Sequence, residues 1–169
     1  MPFRIRDATA GDAPALADLH VRTFRETHGG GPSVAIRQEQ WRGILGRGDP
    51  RDFTFVVEGD DGALVAFARG TPHEGGVPGF DGELNKIYVL ARYQRHGLGR
   101  LLVARVAERF LSLGVSSMLL FGDARSRSNG FYEHLRAERL LSPEGEFHGG
   151  YGWRDLTAVA QPGGSTPVR

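Results

Sequence analysis

The chain has 169 residues, 24% of them charged and 40% hydrophobic, which is typical of a globular domain with its own core. A formal net charge of +1 excludes a general attraction to nucleic acid or to a membrane surface, so any anion recognition must be local. The absence of cysteine excludes disulfides, thiolate metal sites and cysteine nucleophiles, and it is compatible with a cytoplasmic location. We expect no membrane span and no signal peptide, because no apolar run approaches ~20 residues and the start of the sequence lacks the apolar h-region of a signal peptide.

The first third of the sequence predicts one strand and two helices. Phe3–Arg6 alternates apolar and basic residues as a short strand does, and Asp12 is a candidate N-cap for the first helix. Arg25–Pro32 contains three glycines and a proline, so we expect this segment to end the helix and form a linker. Ser33 is a candidate cap for a second helix, which ends at Gly46.

A β-hairpin and a long loop follow the two helices. Phe53–Glu58 and Ala63–Gly70 are predicted strands, and the Asp-Gly pair between them is a strong hairpin signal. The next segment, Thr71–Gly82, is rich in glycine and proline and is longer than a hairpin turn requires, which is typical of functional loops. Its chemical groups are His73, Glu74, Phe80 and Asp81.

The stretch from Glu83 to Gly114 organises the chain. Leu84–Leu90 predicts a strand, Gln94–Gly99 a short turn, and the residues that follow an amphipathic helix with a glycine at its C-terminal end. The N–H groups at a helix start attract phosphate, and glycine lets an anion touch the backbone. A plain strand-to-helix turn with solvated arginines is the alternative reading. The arginines that flank the turn are Arg92, Arg95 and Arg100.

Two common phosphate-binding patterns are absent from this turn. It lacks the Gly-Lys-Ser/Thr of a Walker loop, and the third glycine of a dinucleotide-binding loop would fall near Leu102. The turn instead has the pattern Gln94-x-x-Gly97-x-Gly99. It resembles the Gln/Arg-x-x-Gly-x-Gly/Ala signature of the GNAT superfamily of acyl-CoA-dependent N-acetyltransferases. Downstream, Asn129–Leu135 (NGFYEHL) resembles the late Phe-Tyr-Glu-x-Leu helix of the same superfamily.

The resemblance and the order of the predicted elements imply a mixed α/β fold of the α+β type. Ser117–Phe121 is the predicted strand between the two motifs, and a last strand is expected near Phe147–Leu156. A GNAT-like fold has a central, mostly antiparallel sheet whose fourth and fifth strands splay apart to admit the acyl chain, flanked here by about four helices. One such domain is expected over residues 1–158, followed by a disordered tail over residues 159–169.

The function that the resemblance implies is transfer of an acetyl group from acetyl-CoA to a primary amine of a small molecule or peptide. The amine would attack directly, and Tyr132 would hydrogen-bond to or protonate the departing thiolate, because a phenol with a pKa of about 10, against ~8.5 for a thiol, still carries its proton near neutral pH. Glu83 is the first candidate for the base that takes the amine proton. A packing role for Tyr132 and a solvated position for Glu83 remain open. The alternative bases are Glu26, His28, His73 and Asp81.

The resemblance also implies that acetyl-CoA binds largely to main-chain groups. The pyrophosphate would accept hydrogen bonds from the N–H groups of Arg95–Arg100, and the thioester carbonyl from a main-chain N–H near Val89. No metal is expected. The residues expected to bind acetyl-CoA are Ile87, Tyr88, Val89, Gln94, Arg95, His96, Gly97, Leu98, Gly99, Arg100, Asn129 and Tyr132.

Three positions depart from the superfamily pattern. Ser126 stands where an asparagine is frequent, Asn129 where a small residue is usual, and Arg136 where a glycine is usual. Ser126 and Asn129 are both candidates to contact the CoA arm, with Asn129 preferred, and Arg136 puts the turn after the tyrosine helix in question.

Two functions remain open at this point: an N-acetyltransferase, and a non-catalytic acyl-CoA-binding or regulatory domain. For either we expect acetyl-CoA as partner, with an amine substrate for the enzyme, no nucleic acid, no membrane and a possible homodimer. Free thiol released from acetyl-CoA in the presence of amines separates the two.

Overall fold

The computed structural model describes residues 2–160. The strands are β1 (Arg4–Asp7), β2 (Phe53–Glu58), β3 (Leu64–Pro72), β4 (Gly82–Val89), β5 (Met118–Leu120), β6 (Glu138–Leu141) and β7 (Phe147–Trp153). The α-helices are α1 (Ala13–His28), α2 (Val34–Leu45), α3 (Leu98–Ser112), α4 (Asn129–His134) and α5 (Thr157–Ala160). Single 3-10 turns occur at Ala10–Asp12 and Ala91–Tyr93.

The seven strands form one mixed sheet in the order β1-β2-β3-β4-β5-β7-β6. The pairs β1–β2, β2–β3, β5–β7 and β6–β7 are antiparallel, whereas β4 and β5 are parallel. In the described residues β4 and β5 pair at two positions, Gly82 with Met118 and Glu83 with Leu119. The predicted α/β fold with splayed fourth and fifth strands is therefore confirmed.

The chain divides into two compact units. The first comprises the described part of Met1–Gly70 together with Lys86–Leu102, and the second comprises Thr71–Asn85 with the described part of Val103–Arg169. Each has a buried apolar core. The first core includes Leu16, Leu19, Trp41, Val56 and Phe67, and the second includes Phe110, Met118, Leu119, Tyr151 and Leu156. The single domain over 1–158 stays a prediction, and most of the predicted tail, residues 161–169, lies outside the described residues.

The end of the first helix differs from the prediction. α1 continues through Arg25 to His28, and Gly29 terminates it with a φ of +80°. Glycine adopts this left-handed conformation without the steric penalty of a side chain, so the helix stops at the first glycine rather than at the polar residues before it. Glu26 and His28, expected in a linker, therefore lie in the last turn of α1. The predicted cap of α2 is confirmed, since the Ser33 side chain accepts a hydrogen bond from the N–H of Ile36 at 3.3 Å.

Two further features of the fold were not expected. β6 pairs antiparallel with β7 and ends the sheet order; its exposed Glu138 and Arg139 give no strand-like alternation in the sequence. Asp12 stands at the N-cap position of α1, but its side chain makes no capping bond. Its carboxylate instead accepts hydrogen bonds from the N–H of Thr9 and from the guanidinium of Arg6.

Candidate active site

The turn before α3 presents unpaired backbone N–H groups, and all of it lies in the first unit. Arg95 and Gly97 both have left-handed backbones, with φ of +64° and +79°. The N–H groups of Arg95, His96 and Gly97 make no hydrogen bond within residues 2–160, and all three residues are exposed. Leu98 begins the helix, so the N–H groups of its first turn also lack intrahelical acceptors. Such a run of N–H groups in a turn and at a helix start is an anion-binding concavity.

The surroundings of this turn are open and positively charged. A Cβ built on Gly97 would meet nothing within 4 Å, so the backbone face is open. Arg95 and Arg100 are exposed beside it, and the helix end adds a partial positive charge. Leu98 is only 2% exposed, and its burial anchors the first turn of the helix to the core. The predicted pyrophosphate residues therefore lie together in one loop.

Two side chains fix the position of this loop. The amide Nε2 of Gln94 donates a hydrogen bond to the carbonyl of Val89 at 3.1 Å, which ties the turn to the end of β4. The carboxylate of Glu26, from α1, accepts a hydrogen bond from the N–H of Ala91 at 2.8 Å. Glu26 was considered as a base, and the structure instead shows it holding the entrance of the loop. No local spacing signals this contact, because 65 residues separate its two partners.

β4 supplies the apolar part of the predicted acetyl-CoA site. Ile87, Tyr88 and Val89 are all half-buried, although β4 is an interior strand of the sheet. Burial raises the pKa of the Tyr88 phenol, which therefore stays neutral at physiological pH. The N–H of Leu90, the next residue, donates to the carbonyl of Val65 at 3.0 Å, which holds the end of this segment against β3.

The second unit brings together two of the candidate bases. Nδ1 of His73 lies 3.7 Å from a carboxylate oxygen of Glu83, and the other Glu83 oxygen accepts a hydrogen bond from the amide of Asn85 at 2.8 Å. The His73 side chain is 7% exposed, and its buried Nε2 has no hydrogen-bond partner among the described residues. Glu83 is thus held in place and is not a freely solvated strand-start glutamate. Asp81, by contrast, is exposed.

Tyr132 is fixed by an aromatic frame. Its ring centroid lies 5.2 Å from that of Phe131, 5.6 Å from that of Tyr151 and 6.4 Å from that of Trp153. Tyr132 is half-buried, whereas Tyr151 is fully buried. The frame comes from α4 and β7, so the tyrosine has a defined position on a rigid support, as a proton donor requires.

Hydrogen bonds to Glu133 also hold α4 in place. The carboxylate of Glu133 accepts hydrogen bonds from the hydroxyl of Tyr151 at 3.0 Å and from Nε of Arg139 at 2.6 Å. The Arg139 hydrogen bond, followed by that from Tyr151, holds the pKa of Glu133 below its usual range. The glutamate of the Phe-Tyr-Glu motif therefore ties α4 to β6 and β7.

The residues that depart from the superfamily pattern have structural contacts. The amide Nδ2 of Asn129 donates to the carbonyls of Asp123 and Ala124 at 3.1 and 3.0 Å, which closes the loop before α4. Arg136 adopts a φ of +64°, and its N–H donates to the carbonyl of Glu133 at 2.9 Å. The turn that a glycine usually makes is therefore present with arginine.

The loop before β4 is anchored at both ends. The N–H of His73 donates to the carbonyl of Asp81 at 2.9 Å, and the N–H of Asp81 donates to the hydroxyl of Ser117 at 3.0 Å. Phe80 is 3% exposed, while Glu74 is exposed to solvent. In the first unit, the ring of His28 lies 4.5 Å from that of Phe24.

The described residues contain neither a cluster of metal-ligating side chains nor a helix that could span a membrane. No group of three or more His, Cys, Asp or Glu side chains is placed to hold a metal ion. No helix of residues 2–160 is long and apolar enough to cross a membrane.

Comparison with known proteins assigns the family. The model of the acetyltransferase (GNAT) family matches residues 13–136, which include both sequence motifs. The chain belongs to the GNAT family. A curated relative, the uncharacterized N-acetyltransferase YuaI of Bacillus subtilis, is 32% identical over 164 residues, covering 92% of this chain and 95% of the relative.

Solved GNAT structures share the fold. The PaiA N-acetyltransferase of Thermoplasma acidophilum, in complex with coenzyme A, superposes with a TM-score of 0.70 at 13% identity, covering 90% of this chain and 98% of that one. The ribosomal-protein-S18-alanine N-acetyltransferase of Escherichia coli superposes with a TM-score of 0.63 at 21% identity, covering 89% and 91%. At these identities the likeness shows the GNAT fold.

Proposed function

We propose that this GNAT protein is an acetyl-CoA-dependent N-acetyltransferase that acts on a primary amine. The observation that carries the proposal is the run of unpaired N–H groups at Arg95–Gly97 and at the start of α3. These groups would bind the pyrophosphate of acetyl-CoA, with Arg95 and Arg100 beside it. The half-buried Ile87–Val89 segment would line the acyl arm. The complex of a GNAT relative with coenzyme A supports this choice of cosubstrate.

The chemistry proposed is a direct transfer. The amine nitrogen attacks the thioester carbonyl carbon, a C–N bond forms, and the C–S bond breaks to release the CoA thiolate. Tyr132, whose phenol with a pKa near 10 still carries its proton at neutral pH, donates a hydrogen bond or its proton to the sulfur as the C–S bond breaks, and the proton that the amine loses returns through solvent to complete the free thiol of CoA. No covalent enzyme intermediate is formed, which is consistent with a chain that lacks cysteine.

Glu83 is the proposed base. It takes the amine proton directly or through water, and the approach of His73 Nδ1 at 3.7 Å and the hydrogen bond from Asn85 hold its carboxylate in one orientation. Nε2 of His73, which has no partner among the described residues, would form a hydrogen bond with such a water. Glu83→Gln removes the proton acceptor while keeping the size, so kcat should fall 10²–10⁴-fold, as for general bases elsewhere.

Tyr132→Phe tests the acid. The change removes one oxygen and keeps the ring in its frame of Tyr151 and Trp153, so packing is retained. Because thiolate is already a fair leaving group, kcat should fall by roughly 10- to 10²-fold, the low end for a general acid. CoA affinity by calorimetry should stay unchanged. Tyr93→Phe is the control for loss of a phenol outside the proposed site.

The decisive assay measures free thiol released from acetyl-CoA with a panel of primary amines. Amine-dependent release in the wild type, reduced in Tyr132→Phe and Glu83→Gln, supports the enzyme. Tight CoA binding without release by any amine would favour the non-catalytic acyl-CoA-binding domain. The proposed location is the cytoplasm. The proposed homodimer is tested by light scattering of the purified protein.

A further inference from the structure

Arg37, on α2 in the first unit, is a buried cation without a carboxylate partner. It is 9% exposed and forms no ion pair within residues 2–160. Its Nη1 donates to the side-chain oxygen of Gln40 at 3.0 Å, but its Nε is buried and has no hydrogen-bond partner. A guanidinium removed from water without an anion is expensive, because its desolvation is not offset by a charge pair.

The other arginines with low exposure in this unit have carboxylate partners. Arg69, 8% exposed, donates from Nε and Nη2 to the two carboxylate oxygens of Asp52 at 2.9 and 2.7 Å. Arg6 is paired with Asp12 at 2.7 Å and with Glu58 at 2.8 Å. Residues 2–160 thus supply carboxylates for these two guanidiniums and none for Arg37. The difference is consistent with an anion for Arg37 that lies outside the described residues.

Aromatic rings lie around Arg37. Its guanidinium carbon lies 5.2 Å above the ring of Phe24, which is itself 4.5 Å from the ring of His28. The rings of Phe24 and His28 each lie 6.5 Å from the ring of Tyr88. Arg37 also acts electrostatically on the phenol of Tyr88. Tyr88 belongs to the β4 segment proposed to line the acyl arm, so the cation lies near the part of this unit where an acceptor is needed.

We propose that Arg37 binds a carboxylate of the acceptor, so that the acceptor class is a small amine carrying a carboxylate, as in an amino acid, rather than an alkylamine or polyamine. The planar fork of a guanidinium matches the two oxygens of a carboxylate, and the guanidinium of Arg37 has no carboxylate partner among residues 2–160. Phe24, His28 and Tyr88 would contact the rest of the molecule. This inference rests on the proposed acetyltransferase function and names its substrate class.

The test compares matched acceptors in the thiol-release assay. Each amino acid is assayed beside its amide and its decarboxylated amine, with wild type, Arg37→Gln and Arg37→Lys. We expect the wild type to prefer the carboxylate member of each set. Arg37→Gln should raise KM for that member about 10- to 100-fold, since hydrogen bonds to charged groups are lost, and leave the amides within a few-fold. Arg37→Lys should recover part of the loss, because it keeps the charge without the fork.

Two controls separate a binding role from a structural one. Arg42→Gln removes an exposed arginine of the same helix and should change none of these values. Arg37→Met removes an uncompensated buried charge, so its urea unfolding midpoint should equal or exceed that of the wild type. A clearly lower midpoint would show that Arg37 stabilises the fold and would overturn the inference, as would equal losses by Arg37→Gln for all three acceptor types.

Calorimetry with N-acetylated amino acids and their amides gives a readout that does not depend on turnover. If no amine is acetylated but the N-acetylated acids bind wild type and not Arg37→Gln, the carboxylate site stands and the enzyme proposal fails. If amines are acetylated without preference for a carboxylate, the enzyme proposal stands and the role of Arg37 is refuted.

Discussion

His20 makes the stability of this protein sensitive to mild acid. The imidazole is 2% exposed, and its Nδ1 accepts a hydrogen bond from Nε1 of Trp41 at 3.2 Å, so the ring is neutral. Burial, followed by the positive charges of Arg37 and Lys86, lowers the pKa of His20 to about 3. In the unfolded chain the pKa is 6.5 or close to it. The unfolded state therefore binds one more proton than the folded state between these values.

The sign and size of the effect follow from this difference. The contribution of neutral His20 to the free energy of unfolding is complete above pH 6.5. It is lost progressively as the pH falls towards 3, because the unfolded state binds the extra proton in that range. At pH 4.5, two units below the unfolded pKa, the loss amounts to about 2.7 kcal/mol, since each unit corresponds to about 1.36 kcal/mol. This is a large fraction of the ~5–15 kcal/mol typical of a folded domain.

The assay compares urea unfolding of the wild type and His20→Gln at pH 7 and at pH 4.5. Glutamine does not titrate, and its side-chain oxygen can accept the Trp41 N–H, so other pH effects are shared by both proteins. We expect the wild type to lose about 2–3 kcal/mol more than the variant between the two pH values. The exposed His148→Gln is the control and should behave as the wild type. Equal losses in wild type and His20→Gln, or an imidazole that titrates near 6.5 by NMR, would refute the reasoning.

Two other substitutions test the cosubstrate loop and its support, and a third tests backbone strain in β7. Gly99→Glu places a negative charge in the first turn of α3, so CoA affinity should fall at least tenfold, about 1.4 kcal/mol, whereas Ser112→Glu at the far end of the helix should not change it. Glu26→Ala leaves the Ala91 N–H without its acceptor and should weaken CoA binding about fivefold, or ~1 kcal/mol. An unchanged affinity would show that Glu26 does not position the loop for CoA. Gly149→Ala places a Cβ 2.5 Å from the backbone of Asp123 at a φ of +100°, so the free energy of unfolding should fall by at least ~3 kcal/mol. Gly145→Ala is the control: its φ is +82° but the space is open, so the free energy of unfolding should fall by only ~1–2 kcal/mol.

The parts of the site that the sequence predicted are those that local rules determine. A strand, a glycine turn and a helix start are contiguous between β4 and α3, so hydrophobic periodicity and glycine placement predict the loop, its open N–H groups and the buried Leu98. The hairpin of β2 and β3 and the cap at Ser33 were predicted for the same reason. In these segments the interactions that form the structure lie within a few residues of each other.

Contacts between distant segments could not be predicted from local sequence patterns. The hydrogen bond from Ala91 to Glu26 and the approach of His73 to Glu83 depend on how separate elements pack, which no spacing in the sequence encodes. Arg37 was missed because a charged residue in a helix is normally assigned to the solvent face. One signal was available, since Arg37 precedes the buried Trp41 by four residues and therefore shares its face of α2.

The departure at Arg136 shows what a motif glycine contributes. Arginine at this position takes the φ of +64° that glycine adopts readily, and the N–H of Ala137 donates to the carbonyl of Tyr132 at 3.1 Å to close the helix. A left-handed non-glycine residue costs about 1–2 kcal/mol, an amount that packing of the kind seen around Tyr151 and Trp153 can offset. The geometry of the turn is therefore set by its hydrogen bonds and its packing. A glycine at this position would adopt the same geometry at a lower conformational cost than arginine. A missing motif glycine is accordingly weak evidence against the position of the tyrosine that precedes it.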